Sequence, residues 1–352
     1  VTAASLPPLD AARVNDALSR YRPAVVEAMR AALDLPGVGH TQLMRYHLGW
    51  EDRDGRPLLA GGGKMLRPAL CLLCCEAVGG DAQRALPAAA ALELVHNFTL
   101  IHDDIEDASD TRHGRETLWR VVGIPQAINA GDGMFVIARR TLLDMADAGV
   151  QAGRVLAAAR LLDDACVLLC EGQYADIGFE AREHVSLAEC EAMIAGKTSA
   201  LLGASAAIGA IAGGADDATV RALGECGRLL GFAFQIQDDV LGIWGEQAVT
   251  GKPVADDIRS RKKSFPIVYA FEHLPEDARM RLQRLYAASE ITEPDVDAVL
   301  ALLDQAGARA ASTAAAERWA AAALELLRPL RLDPGRRRDI EAVASFFVYR
   351  SA

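Results

Sequence analysis

TLIHDDIEDASDTRHGRE, residues 99–116, sets Asp103, Asp104, Glu106, Asp107 and Asp110 directly behind an apolar helical segment. Asp103 and Asp107 are four positions apart and share one face of a helix, while Asp104 is rotated from Asp103 by ~100°. Asp110 joins that face if the helix continues. Carboxylates this close raise each other's pKa unless a cation neutralises them. Hard oxygen ligands on a rigid helix suit Mg2+, which keeps several waters and takes a substrate phosphate as a further ligand. A single acidic cluster also reads as a solvated helix end. A second stretch favours the metal reading: IHDDIED (101–107) is matched by IQDDVLG (236–242), again apolar-x-Asp-Asp-apolar near a helix C-terminus. Two such tips facing one another across a cavity could hold several Mg2+ ions between them.

Outward from these tips the chain reads as helix. It has 352 residues, 51% of them hydrophobic and only 5% aromatic. That is ample for a large core, and an Ala- and Leu-rich composition favours helix over strand. The periodicity predicts helices over 8–34, Asp81 to about Asp107, Gln126–Ala148, Arg154–Gly178, Ser186–Ala212 and Asp217–Trp244. Pro68 sits early in an apolar helix, Pro266 opens another, and 292–328 carry two more. Residues 46–64 read as a loop with a short hairpin at Asp54-Gly55. Strand alternation, a linker composition and a fixed-period repeat are all missing. The expectation is one all-α domain over residues 1–352.

A net charge of −11 excludes a general nucleic-acid or anionic-membrane surface, but leaves small anionic substrates that meet local basic groups. Cys71-Leu-Leu-Cys74 lies in an apolar helical run without a second CxxC, so the seven cysteines read as free thiols. Their odd number, without a signal peptide, predicts a cytoplasmic protein. The most apolar run, Ala200–Gly214, is mostly Ala and Gly and falls short of the ~20 residues of a membrane span.

Mg2+ held in this way needs an anion, and diphosphate is the natural one. GGGKMLRP (61–68) places Lys64 and Arg67 after a glycine run whose N–H groups can face an anion, although the P-loop spacing is absent. Arg112 follows the first acidic cluster. GKTSALLG (196–203) offers Lys197 and Thr198, and TGKPVADDIRSRKKS (250–264) offers Lys252 and a basic run to Lys263. Each could be a surface charge when taken singly.

Taken in order, GGGKMLRP, ELVHNFTLIHDDIEDASDTRHG, AINAGDGM, EGQYADI, GKTSALL, GFAFQIQDDVLGIWG and TGKPVADDIRSRKKS resemble the trans-isoprenyl diphosphate synthases of the polyprenyl synthetase family. They span roughly residues 60–270, and the C-terminal FFVYR fits as well. The resemblance implies a helical bundle around a deep central cavity, usually a homodimer. It also implies condensation of an allylic diphosphate with isopentenyl diphosphate. By the same resemblance Asp103 and Asp107 would bridge two Mg2+ ions, with Asp104 assisting, and Asp238 would bind a third. Arg112, Lys197 and Lys252 would contact the allylic diphosphate, and Thr198 and Gln235 would flank the reacting carbons. Lys64, Arg67 and His96 would hold isopentenyl diphosphate.

The sequence departs from the family at three places. Gly242 stands where a third Asp usually closes the second motif, leaving Asp238 and Asp239 as the remaining ligand pair. His113 replaces the second of two arginines, and would bind an anion better at lower pH. Met65 replaces the Arg after Lys64. By the same resemblance Phe98 and Thr99, five and four positions before Asp103, would floor the product tunnel, although Phe98 also reads as a core residue. A ring there points to a C20 product, with C15 next.

Three other readings fit parts of the pattern. A cyclase on the same fold would fit Gly242, His113 and Met65, but not an intact Lys64, Arg67 and His96. A non-catalytic subunit would be expected to have lost its first Asp motif. Glu93-x-x-His96 is half of a di-iron pattern that requires two such motifs.

Overall fold

The computed structural model describes residues 6–36, 38–58, 63–245, 254–288 and 290–350. The expected all-α architecture is what they form. In chain order the helices are α1 (Ala11–Ser19), α2 (Arg22–Leu33), α3 (Thr41–His47), α4 (Leu66–Ala77), α5 (Ala82–Glu106), α6 (Leu118–Val122), α7 (Ile124–Leu143), α8 (Ala152–Glu180), α9 (Leu187–Ile194), α10 (Ala200–Ala212), α11 (Asp217–Trp244), α12 (Asp256–Arg259), α13 (Phe265–His273), α14 (Glu276–Ala287), α15 (Glu293–Gln305), α16 (Ala308–Leu327) and α17 (Pro334–Tyr349). Two-residue strands, β1 (Thr111–Arg112) and β2 (Arg115–Glu116), pair antiparallel behind the first acidic cluster.

Local chemistry sets the ends of the long helices. Asp81 accepts a hydrogen bond from Gln83 N at the start of α5, and Asp216 accepts one from Thr219 N at the start of α11. Both bonds satisfy N–H groups that a helix leaves unpaired. Ser186 and Glu189 close a reciprocal capping box at α9. The single helix expected over 8–34 is two, because Pro23 opens α2 just after α1 ends at Ser19. Asp54-Gly55 does turn a small antiparallel bridge, Glu51 to Pro57.

α10 is the centre of the bundle. From Leu201 to Ala212 every residue is buried, packed against α4, α5, α8 and α11. Small side chains allow this closeness: a Cβ at Gly209 would fall 2.0 Å from the Cys71 carbonyl oxygen of α4. The run Leu187–Ala212, expected as one helix over Ser186–Ala212, is long and apolar enough to cross a membrane, yet 89% of its most apolar window lies inside the protein. It is a core helix. A smaller core gathers Ile243, Ile258, Phe271, Leu282, Val299 and Leu303 beyond the end of α11.

Candidate active site

α5 and α11 deliver the two acidic tips. Asp103 lies on the last turn of α5 and Asp107 caps that helix, its N–H bonded to the Asp103 carbonyl at 2.8 Å. Burial raises the Asp103 carboxyl, with Lys197 opposing and Asp107 adding to the rise. Lys197 sits in a single π-helical turn, Ala195–Ser199, between α9 and α10. It donates to Asp176 of α8 at 2.6 Å. Burial lowers its ammonium, but Asp103 and Asp176 outweigh that and raise it. The first tip therefore faces a cation fixed on another helix.

Asp104 has a different task. It is 1% exposed, and its Oδ1 accepts from Arg112 Nε at 2.9 Å and Nη2 at 2.8 Å. Its Oδ2 has no hydrogen-bond partner among the described residues. Asp104 thus orients Arg112, the residue expected at the allylic diphosphate, from behind.

At the second tip the Asp pair divides. Asp238 Oδ1 accepts from Arg350 Nη2 at 2.9 Å, just beyond the end of α17. Asp239 is buried away from the cavity. Its Oδ1 accepts from Gln235 Nε2 at 2.9 Å and its Oδ2 from Phe265 N at 3.0 Å, the first N–H of α13. Burial pushes its carboxyl up to about 7. The expected Asp238–Asp239 ligand pair is therefore corrected to one carboxylate facing the cavity and one helix cap, because adjacent helical residues point about 100° apart. Gln235 Oε1 also accepts from Thr198 Oγ1 at 2.6 Å, tying the π-turn to α11.

Beside the second tip lies a cavity of about 350 Å3, lined by Asp238 and Arg112 but not by Asp103, Asp107 or Lys197. Of the residues singled out in the sequence, Lys64, Arg67, His96, Arg112, His113 and Asp238 line it. Among the described residues, Arg67 Nε is buried without a hydrogen-bond partner, and Glu93 on α5 opposes the effect of its burial. Arg67 lines the cavity, and a guanidinium in a basic cavity suits an anion. Burial lowers the His96 imidazole well below its ordinary value, with Arg67 and Arg112 adding to it, so His96 acts as a neutral donor. Burial beside Arg112 also lowers His113, against Asp104. Glu93 is committed to Arg67 and Asn97, which leaves the di-iron reading without its carboxylate.

Phe98 meets the Phe135 ring of α7 at 4.9 Å and the His102 ring, edge-on, at 5.8 Å. Lys252 lies outside the described residues. Sequence reasoning missed Arg350, His47, Asp176 and Lys262. Burial lowers the Lys262 ammonium, but Asp239, Asp257, Asp176 and Asp238 raise it above its ordinary value. Those four acids come from three separate segments, so no local spacing could reveal them.

Among the described residues, no three His, Cys, Asp or Glu side chains converge into a closed metal-binding group. Asp103 and Asp107 on one tip and Asp238 on the other are hard oxygen donors that leave most of a cation's coordination to other ligands. That donor set fits Mg2+ carrying water and phosphate oxygens.

An all-helical bundle with two acidic tips over a basic cavity is the architecture of an isoprenoid-type transferase. The polyprenyl synthetase family profile matches residues 55–303. A Mycobacterium tuberculosis (2E,6E)-farnesyl diphosphate synthase is 38% identical over 313 residues, 88% of this chain and 86% of that protein. A geranylgeranyl diphosphate synthase of the same organism is 42% identical over 283 residues, 80% and 77% of the two chains. The crystal structure of a Streptomyces coelicolor polyprenyl synthetase superposes with a TM-score of 0.89 at 38% identity, covering 95% of this chain and 99% of that one. The chain belongs to the polyprenyl synthetase family, and with it to the trans-prenyltransferases.

Proposed function

We propose that the protein condenses an allylic diphosphate with isopentenyl diphosphate in a Mg2+-dependent reaction, giving an all-trans C20 diphosphate, with C15 next. The observation that carries this is the single cavity linking Arg67, whose Nε is unpaired, and His96 to Asp238. Lys64, Arg67 and neutral His96 would hold isopentenyl diphosphate with its double bond toward the allylic carbon. Asp103, Asp107 and Asp238 would hold up to three Mg2+ ions, which when bound neutralise the charge that grows on the leaving diphosphate. Arg112, kept in place by Asp104, and Lys197, kept by Asp176, add fixed positive charge on the same leaving group; Lys252 would join them. Thr198 and Gln235 would flank the reacting carbons. A proton then leaves the condensed product, and the released diphosphate is the nearest strong acceptor. No side-chain nucleophile is required.

The Phe98–Phe135 contact would stop the growing tail. Ile124, Ile128, Val136 and Leu143 on α7 are exposed, as are Leu156, Val167 and Leu168 on the adjacent α8. Exposed apolar side chains of this kind, interrupted by the Arg139–Asp163 ion pair, are what a second copy of the chain would cover. The seven cysteines are unpaired, as a reducing cytoplasm would keep them.

The test is product analysis by mass spectrometry. The purified chain is incubated with Mg2+ and dimethylallyl, geranyl or farnesyl diphosphate, with and without isopentenyl diphosphate. Geranylgeranyl diphosphate formed only with both substrates is expected. A hydrocarbon or alcohol formed without isopentenyl diphosphate would replace this reading with the cyclase one.

A further inference from the structure

Three histidines line the cavity beside the second tip: His47 from the end of α3, His96 from α5 and His113 from the turn between β1 and β2. His96 and His113 lie in segments legible in the sequence, whereas His47 comes from a short helix outside every motif. Burial lowers its imidazole, and Arg112, His113 and Arg115 of the hairpin add to this. His96 faces it from α5. Of the helices packed on α3, α2 brings only Met29 to the cavity wall, and α6 and α7 bring no lining residue.

One contact opposes these effects. Asn97 hydrogen-bonds the His47 ring in the sense that favours the charged imidazole. Asn97 Nδ2 already donates to the Glu93 carbonyl at 2.8 Å and to Glu93 Oε1 at 3.3 Å. The Asn97 amide oxygen is therefore what His47 meets, and one ring nitrogen of His47 carries its proton toward it. The other ring nitrogen makes no hydrogen bond among the described residues. In a neutral imidazole that nitrogen is a bare acceptor, which repels an anion; once protonated it is a donor.

Charge balance points the same way. The lining holds four cations, Lys64, Arg67, Arg112 and Arg350, against two anions, Glu93 and Asp238. Met65 adds a thioether and no charge. A fully ionised prenyl diphosphate brings more negative charge than that surplus. A group that gains a positive charge as the anion enters would close the difference.

We propose that His47 is a further substrate-binding residue, and that it takes up a proton as the diphosphate of isopentenyl diphosphate enters this cavity. This rests on the reading of the cavity as the isopentenyl diphosphate site. Solvent supplies the proton to the free ring nitrogen, the N–H toward Asn97 is kept, and no covalent bond of the substrate changes. In the empty cavity the neighbouring cations hold His47 neutral. In the filled one the anion offsets Arg112 and Arg115, and the imidazolium is favoured. Affinity therefore rises as pH falls through the imidazole range, until the diphosphate itself begins to protonate.

The test titrates isopentenyl diphosphate into the full chain, without metal, by calorimetry at about pH 6 and about pH 8. Two buffers of different ionisation heat give both Kd and the protons taken up, and a thermal melt accompanies each variant. His47→Gln keeps a donor for Asn97 but cannot gain a charge. It is expected to weaken binding about tenfold at the lower pH, the scale of one hydrogen bond to a charged group, and by less at the higher. Its proton uptake should fall below that of the parent. Should His47→Gln melt early, His47→Asn takes its place. Histidine-selective 15N NMR of the parent reads the rings directly: one signal, missing from the His47 variant, should change from the neutral to the doubly protonated pattern on binding. The proposal is overturned if the variant binds as the parent does, if it loses the same affinity at both pH values with unchanged proton uptake, or if no histidine ring of the parent becomes doubly protonated. Arg67→Gln is the control. Loss there with none at His47→Gln removes this inference alone, whereas a folded parent that binds no isopentenyl diphosphate removes the reading of the cavity and this inference with it.

Discussion

Asp103 sits with Lys197 on one side and Asp107 on the other, so its charge is shared by everything at the first tip. Asp103→Asn changes little volume and removes that charge. The rate is expected to fall on the order of 10²–10³-fold, as for loss of one preorganised electrostatic partner, with the melting temperature kept. A steady-state assay beside a melt checks it. His47 lines the same cavity, and burial, with Arg112 adding to it, pushes its imidazole down to about 3. In the unfolded chain it titrates near 6.5, so between these values the unfolded state binds more protons. Stability is held above about pH 6.5 and lost as pH falls below it, by at most about 1.4 kcal/mol per unit. His47→Gln should flatten the melting curve between pH 6.5 and 5; equal slopes in the two proteins would contradict this. Phe98→Ala should lengthen the product. Because Phe135 packs against Phe98 at 4.9 Å, Phe98→Ala/Phe135→Ala should lengthen it further, and an unchanged product profile in both would remove the floor assignment.

At the scale of elements, the π-turn that presents Lys197 depends on close backbone packing. A Cβ at Gly172 on α8 would fall 2.2 Å from Lys197 N, and one at Gly196 would fall 2.5 Å from the Leu168 carbonyl oxygen. Gly172→Ala must push α8 and the turn apart. The expected loss is about 1–3 kcal/mol in a denaturant titration, with weaker diphosphate binding because Lys197 moves. Such crossings were not legible in the sequence, where Gly172 is one letter within EGQYADI. What could be read was local: the i,i+4 spacing of Asp103 and Asp107, and the boundaries of α5 and α11, which follow from Asp caps and apolar periodicity. The fate of Asp239 was hidden because its partner, Phe265 N, lies 26 positions away. Arg350 was hidden because it reaches Asp238 across 112 positions. Spacing rules describe one helix, whereas this site is assembled from several.

For the whole molecule, the apolar face on α7 and α8 makes association testable. Ile128→Glu with Leu168→Glu places two charges in it, each far costlier to bury than to leave in water. Light scattering after gel filtration should show the parent as a dimer and the variant as a monomer. A parent that elutes as a monomer would refute the assignment of that face. One further feature runs the length of the bundle. At the start of α17, Asp339 gathers Arg13, Arg20 and Arg336, and just past its end Arg350 rests on Asp238. A chain cut after Tyr349 would lose the guanidinium that rests on Asp238, and the second tip would lose its counter-ion.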